Sequence, residues 1–297
     1  MPNAGLFDSD DAIDKTYDEA YLNIRNASHE SARVARKHCE KLWKYYNKYA
    51  DDHFLVEIRS QFVSRYWEMY LCVALLKMGF EVTCPKNGGP DVGIMFNRRR
   101  IWFEATCPSD GAGSDKVPPL PCGNARLRPT EKIVLRYLSA IRDKLAQRRD
   151  WLKRGIISVE DFLIVAINPI KISGEIVDSN PPTILQAAYR IGAPYCEFEA
   201  GVSGAIGMGY TFRDKIEKSG GAEVPTGIFN DRGCSSLSGP LCSRVTATAH
   251  LDEFGTDFQF APNPFGSPRL DDQFRLRGTY FKPVVSQEDS SIRITSE

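Results

Sequence analysis

Apolar residues recur every three to four positions through the first fifty residues, and the same spacing returns further along the chain. An apolar stripe of this period is typical of a helix that buries one face. The longest such segment ends at Gly79, a residue type favoured just past a helix. Another starts at Pro129 and stops before Gly155, the order expected at helix ends. Helices are predicted over 12–50, with a second stretch from His29 to Tyr49, then over 54–79, over 129–154, and after Pro182.

Short apolar runs without helical spacing lie between these helices and predict strands. The runs cover Phe80–Cys84, Asp91–Phe96, Ile101–Cys107 and Phe162–Ile167. The second and third are joined by residues 97–100, a polar connection of hairpin length. Residues 108–128 are rich in Pro, Gly and Ser and predict a loop.

The order of these elements predicts an α/β fold built on one mixed sheet with helices on its faces. We expect three parts. Residues 1–53 form an N-terminal helical extension, 54–200 form the core, and 201–297 form an irregular, β-rich region that packs on the core.

Charge and hydropathy narrow the class of protein. The chain has 38 basic and 38 acidic residues, so its net charge does not indicate a general polyanion binder. It has no run of about 18 apolar residues, and its first residues lack the apolar segment of a secretory signal. We therefore expect a cytoplasmic protein with no membrane partner.

Cysteine and histidine spacing gives no indication of a zinc site. The eight cysteines include no CxxC pair, and the four histidines include no HExxH motif. Several cysteines lie within apolar runs, which favours reduced, buried thiols over a metal cluster.

Basic residues are concentrated locally despite the neutral total. Between Arg126 and Arg154 there are ten Lys or Arg and three acids, and Arg98, Arg99 and Arg100 form a second cluster. Such a face can bind phosphate, but a solvated helix surface explains the pattern equally well.

The most specific signal lies in GGPDVGIMFNRRRIWFEAT, residues 88–106. Asp91 begins one predicted strand, and Glu104 lies 13 residues later within the next. Paired strands lie about 5 Å apart, so the two carboxylates can converge. Glu104 stands among apolar residues, where an unpaired carboxylate is costly. It is therefore expected to pair with a base or to bind a metal.

This pattern resembles the PD-(D/E)-x-K nuclease superfamily, whose hairpin carries Pro-Asp on one strand and an acid, any residue and lysine on the next. The matching positions are Pro90 and Asp91, then Glu104, Ala105 and Thr106. The resemblance covers roughly residues 54–168 and implies a restriction-endonuclease-like fold. Many members also place a glutamate on the preceding helix, a role that Glu68 fits.

Thr106 departs from the family pattern, because a hydroxyl cannot supply the positive charge of lysine. Some members deliver this lysine from the following helix. Here Lys144 lies at the edge of an apolar stripe, from which it can reach the hairpin; Lys86 is a weaker candidate. A lysine at a helix flank can also simply extend into solvent. The apolar stripe consists of Val134, Leu138, Ile141, Leu145 and Leu152.

The resemblance implies Mg²⁺- or Mn²⁺-dependent hydrolysis of a nucleic acid, with DNA favoured over RNA. Asp91, Glu104 and the backbone carbonyl of Ala105 would hold the metal, and Glu68 would bind a second ion directly or through water. Lys144 would position the attacking water or neutralise the phosphate. A homodimer is an option. The residues expected to contact the nucleic-acid backbone are Arg98, Arg99, Arg100, Arg136, Gln147 and Arg148.

Two other classes stay open. The chain can be a nucleic-acid-binding relative that has lost cleavage, which Thr106 favours. It can also be a structural or interaction protein whose three acids pair with arginines such as Arg65 or Arg98.

Overall fold

The computed structural model describes residues 5–7, 14–86, 88–121, 123, 127–176, 178–201, 203–285 and 292–296. This part of the chain contains six α-helices. They are α1 (Glu19–Asn26), α2 (Glu30–Tyr46), α3 (Phe54–Glu57), α4 (Phe62–Lys77), α5 (Thr130–Lys153) and α6 (Thr183–Ala188). The predicted long helices therefore form close to their expected bounds, although the break at residues 58–61 separates α3 from α4. The predicted start at residue 12 lies outside the described residues.

Twelve strands accompany the helices in the same part of the chain. They are β1 (Val82–Thr83), β2 (Val92–Phe96), β3 (Arg99–Thr106), β4 (Phe162–Ile167), β5 (Ile191–Glu197), β6 (Gly207–Phe212), β7 (Lys215–Glu217), β8 (Glu223–Pro225), β9 (Gly239–Cys242), β10 (Gln259–Phe260), β11 (Thr279–Val285) and β12 (Ile292–Ser296). Eight of them form one mixed sheet in the order β1-β2-β3-β4-β9-β10-β11-β12. The mixed α/β class is thus confirmed.

The β2–β3 hairpin turns through two residues, Asn97 and Arg98, with positive φ angles of 49° and 62°. Paired positive φ angles suit the twist of a tight hairpin, and asparagine tolerates this region better than most residues. The strands pair antiparallel with Val92 opposite Phe103. On its other side β3 runs parallel to β4, which is buried along its whole length.

Helices cover both faces of the sheet and create two apolar clusters. Ile101 and Phe103 of β3 belong to the cluster that contains α1, α2 and α4. Trp102, between them, belongs to the cluster that contains α5 and α6. Strand side chains alternate between faces, so β3 is buried on both sides.

The terminal regions share the apolar packing and the main sheet of the core. The buried side chains of α1 and α2 share one cluster with α4 and the sheet. Residues 239–296 supply β9 to β12, which extend the main sheet itself. Outside the main sheet, the described strands form two small antiparallel pairs, β5–β6 and β7–β8, and β5 lies before residue 201.

None of the helices in the described ranges is long and apolar enough to cross a membrane.

Candidate active site

The first two residues of the candidate site meet where β2 begins and β3 ends. Because Val92 pairs with Phe103, Asp91 falls opposite Glu104 on the same side of the hairpin. The backbone nitrogen of Asp91 donates to Glu104 Oε2 at 3.3 Å, and the nitrogen of Ala105 donates to Asp91 Oδ2 at 2.7 Å. The backbone of each strand thus fixes the carboxylate of the other.

Lys144 reaches this pair from α5. Its Nζ donates to Glu104 Oε1 at 2.7 Å, and the two side chains are 18% and 6% exposed. Ile141 and Leu145, on the same helix, are buried against the sheet and set the orientation of α5. The expected approach of Lys144 to the hairpin is therefore observed, next to the strand that ends at Thr106.

Asp91 differs from Glu104 in having no cationic partner. No ion pair in the described part of the chain involves Asp91, whereas Glu104 pairs with Lys144. A half-buried carboxylate beside a second carboxylate is unfavourable unless a cation or a proton neutralises it. A purely structural ion-pair network accounts for Glu104, but it does not account for Asp91.

Glu68 of α4 lies close enough to Asp91 to line the same cavity, yet both of its oxygens are engaged. Tyr46 donates to Oε1 at 2.6 Å, and Arg65 donates to Oε2 at 2.7 Å. The structure thus shows the carboxylate–arginine pair that the structural alternative anticipated for this residue. A metal ion bound by Glu68, directly or through water, stays a prediction.

Crowding and burial shift the protonation of all three acids. Burial and then the neighbouring Glu104 raise the pKa of Asp91 to about 8, against the opposing effect of Lys144. Burial and then Asp91 raise the pKa of Glu68 to about 7. Burial also raises the pKa of Glu104, although Lys144 opposes the shift. Groups this perturbed in one cleft are typical of functional sites.

A cavity of about 210 Å³ opens beside these residues. Asp91, Ala105 and Thr106 form its strand side, and α4 contributes Ser64 and Arg65. A second cavity, of about 280 Å³, shares Arg65, Glu68 and Asp91 with the first. Asp91 is thus accessible from two directions.

Some of the oxygen atoms at the site are suitable ligands for a hard divalent cation. Asp91, Glu104 and the carbonyl of Ala105 offer the oxygen ligands that Mg²⁺ and Mn²⁺ prefer. Among the described residues, no three His, Cys, Asp or Glu side chains are grouped as a metal site. A physical reason is that Glu68 turns toward Arg65 and Tyr46. A cation here would depend on two carboxylates and the carbonyl.

Arg148, one of the predicted nucleic-acid contacts, is buried. It is 5% exposed and donates to the carbonyl of Asp161, so the expectation of a surface contact is wrong for this residue. Gln147 is exposed on α5, and Arg136 is half-buried and donates to the carbonyl of Ser109.

The three consecutive arginines occupy the far end of the hairpin. Arg98 lies in the turn, which is five strand residues away from Asp91, or roughly 20 Å at the rise of a strand. Arg99 pairs with Glu160, and the guanidinium of Arg100 lies over the Trp102 ring. The three arginines therefore lie at the opposite end of the hairpin from the carboxylates. Their contact with nucleic acid stays a prediction.

Two residues of the site were not among the sequence-based candidates. Arg65 was anticipated only as a structural partner, although its position three residues before Glu68 places both on one helix face. Tyr46 lies on α2, and its hydrogen bond to Glu68 spans 22 residues. No local pattern indicates such a contact.

Comparison with family models, with curated proteins and with solved structures finds no match to this chain.

Proposed function

We propose that this chain is a divalent-cation-dependent nuclease built on a restriction-endonuclease-like core, with DNA as the favoured substrate. The observation that carries the proposal is Asp91, which lies beside Glu104 without a cationic partner while Lys144 binds the far oxygen of Glu104. Two carboxylates that can hold a divalent cation and a lysine beside them suit metal-assisted phosphodiester hydrolysis, and they match the groups that the resemblance implies.

Asp91, Glu104 and the carbonyl of Ala105 would hold Mg²⁺ or Mn²⁺. Such an ion, when bound, lowers the pKa of a water molecule and offsets charge on a phosphate. The backbone hydrogen bonds that join Asp91 to Ala105 and Glu104 keep these donors in place before any ligand arrives. Pre-organisation of this kind avoids reorganisation during the reaction.

Lys144 supplies the positive charge that Thr106 cannot. Its amine has three hydrogens, and one of them is donated to Glu104. The other two could orient a water molecule or a phosphate oxygen bound beside Glu104. The ion pair with Glu104 holds the amine at this position, so little side-chain entropy is lost when substrate binds.

A non-catalytic nucleic-acid-binding role is the second candidate. It is favoured by Thr106 in the lysine position and by the direct bond between Lys144 and Glu104, which already neutralises one of the two acids. In that role the site would be an inherited structural feature.

An assay of cleavage separates the two. The full chain is incubated with plasmid DNA, single-stranded DNA and single-stranded RNA in the presence of Mg²⁺, Mn²⁺ or EDTA. The nuclease proposal requires cleavage that depends on the metal. No cleavage in either metal, together with a gel shift of the same substrates, would favour the second candidate. Cleavage that continues in EDTA would refute a metal mechanism.

A further inference from the structure

Arg65 lies at the centre of a cluster of acids beside the candidate site. Its guanidinium contacts Glu57, Asp51 at 3.0 Å and Glu68 at 2.7 Å. The side chain is only 17% exposed. Arginine cannot lose its proton in a protein, so this is a permanent cation held between three carboxylates.

The contact with Arg65 determines what Glu68 can bind. One oxygen of Glu68 accepts from Arg65 and the other accepts from Tyr46. A charge-assisted bond in a partly desolvated setting is about twice as strong as a neutral one. A metal ion bound by Glu68 would therefore share the carboxylate with these two donors and would lie close to the positive charge of Arg65, which opposes its binding.

Arg65 and Lys144 reach the carboxylates of the site from two different helices. Lys144, on α5, contacts Glu104, and Arg65, on α4, contacts Glu68. Within the described residues, Asp91 forms no ion pair with either of them. The arrangement leaves one position without a fixed cation, and that position is at Asp91.

We infer that Arg65 is a positioning residue that takes the place of a second metal ion, so that the site accepts a single divalent cation at Asp91 and Glu104. This inference rests on the proposed function, because it presupposes a divalent-cation site. It adds the stoichiometry of that site and assigns Glu68 to the arginine instead of the metal.

The charges around the two cavities indicate what removal of Arg65 would do. Asp51, Glu57 and Glu68 would then stand together without their shared cation, and Glu68 would be free to turn toward Asp91. Both cavities that Arg65 lines would also become larger. An added divalent cation could replace the lost positive charge.

Calorimetric titration of the full chain with Mn²⁺ tests the inference. We expect one Mn²⁺ per wild-type chain. Glu68→Gln should keep one ion with an affinity within about threefold, whereas Asp91→Asn should lose at least about tenfold, since even outer-sphere partners of a metal contribute 10–100-fold. Arg65→Gln should gain a second, weaker Mn²⁺ site, and Arg65→Lys should keep one.

Two ions bound to the wild type, or a loss of about tenfold or more in Glu68→Gln, would overturn the inference and leave the proposed nuclease intact. If the wild type binds no Mn²⁺, both this inference and the proposed metal-dependent nuclease are refuted. Circular dichroism of each variant checks its folding. If Arg65→Gln does not fold, the comparison of Glu68→Gln with Asp91→Asn still decides between the outcomes.

Discussion

At the scale of single residues, the two hairpin acids occupy unequal surroundings. Glu104 is 4% exposed and pairs with Lys144, and Asp91 is half-buried and has no ion pair within the described ranges. Neighbouring acids that differ in this way can divide roles, because one is neutralised by the protein and the other is left for a ligand.

The role of Lys144 can be measured by its removal. Lys144→Ala should lower turnover by about 10²–10³ with little change in nucleic-acid binding, because a single pre-organised charge contact contributes this much to a transition state. Steady-state kinetics and a binding titration give the two quantities. Adding Thr106→Lys should restore part of the rate, since it places a lysine on the strand of Glu104, two residues further along.

Lys153 is exposed at the end of the same helix, so Lys153→Ala is the matched control. It should leave turnover and nucleic-acid binding unchanged. If Lys144→Ala weakens binding while turnover persists, Lys144 is a phosphate contact and has no role in the chemical step.

The unpaired acid should cost stability when no metal is present. The pKa of Asp91 is raised in the folded chain, so its contribution favours folding below about pH 4 and is lost as the pH rises toward 8. Asp91→Asn should therefore be more stable than wild type at pH 8 in EDTA, by on the order of 1 kcal/mol or roughly 2–4 °C. The difference should vanish near pH 4. Thermal unfolding at both pH values measures it, and a destabilised variant at pH 8 would contradict the account.

At the scale of elements, the β2–β3 hairpin and the helices α4 and α5 could be predicted from sequence because their signals are local. The apolar stripe on α5 predicted that Lys144 lies at the edge of the buried face, within reach of the hairpin. The apolar neighbours of Glu104 indicated a buried acid that needs a partner. The addition of β9 and β10 to the sheet could not be predicted, because these strands have only four and two residues and β9 pairs with β4, which is distant in the chain.

Arg148 shows a second limit of the local pattern. It lies one turn beyond Lys144 on α5, in a segment dense with basic residues, yet it is buried. Its burial depends on the loop that carries Asp161, whose carbonyl accepts its hydrogen bond. A charge pattern alone cannot show which basic residues a neighbouring loop covers.

The turn of the β2–β3 hairpin permits a test of the backbone. Arg98 has a positive φ of 62°, which costs free energy for any residue with a Cβ. Arg98→Gly should raise the free energy of unfolding by about 0.5–1 kcal/mol, because glycine adopts this conformation without strain. Urea unfolding measures the change. Arg98→Ala keeps the Cβ and should show no such gain; an equal gain in both variants would mean that the charge, and not the backbone, matters.

At the scale of the whole molecule, the first and last parts of the chain meet in one core. His38 of α2 is 6% exposed, stacks on His250 at 3.6 Å between ring centroids, and lies 3.0 Å from the hydroxyl of Tyr66. Burial, followed by His250 and Lys41, lowers the pKa of His38 to about 3. This contact links α2 to the segment between β9 and β10.

The neutral form of His38 is therefore required for full stability. Its contribution is present above the unfolded pKa near 6.5 and is lost as the pH falls toward 3. Between pH 6.5 and 5 the wild type should lose about 2 kcal/mol through this residue. His38→Gln should not show that loss. Urea unfolding at both pH values, with exposed His53→Gln as the control, isolates the effect because other titrating groups are common to all three proteins. Parallel curves for wild type and His38→Gln would contradict it.

The central claim is that Asp91 and Glu104 hold a catalytic divalent cation. The most direct test is the initial rate of plasmid cleavage at a fixed Mn²⁺ concentration for the wild type, Asp91→Asn and Asp143→Asn, an exposed acid on α5. The wild type and Asp143→Asn should cleave at equal rates, and Asp91→Asn should be slower by at least about a hundredfold while remaining folded. An Asp91→Asn variant that cleaves as fast as the wild type would contradict the account.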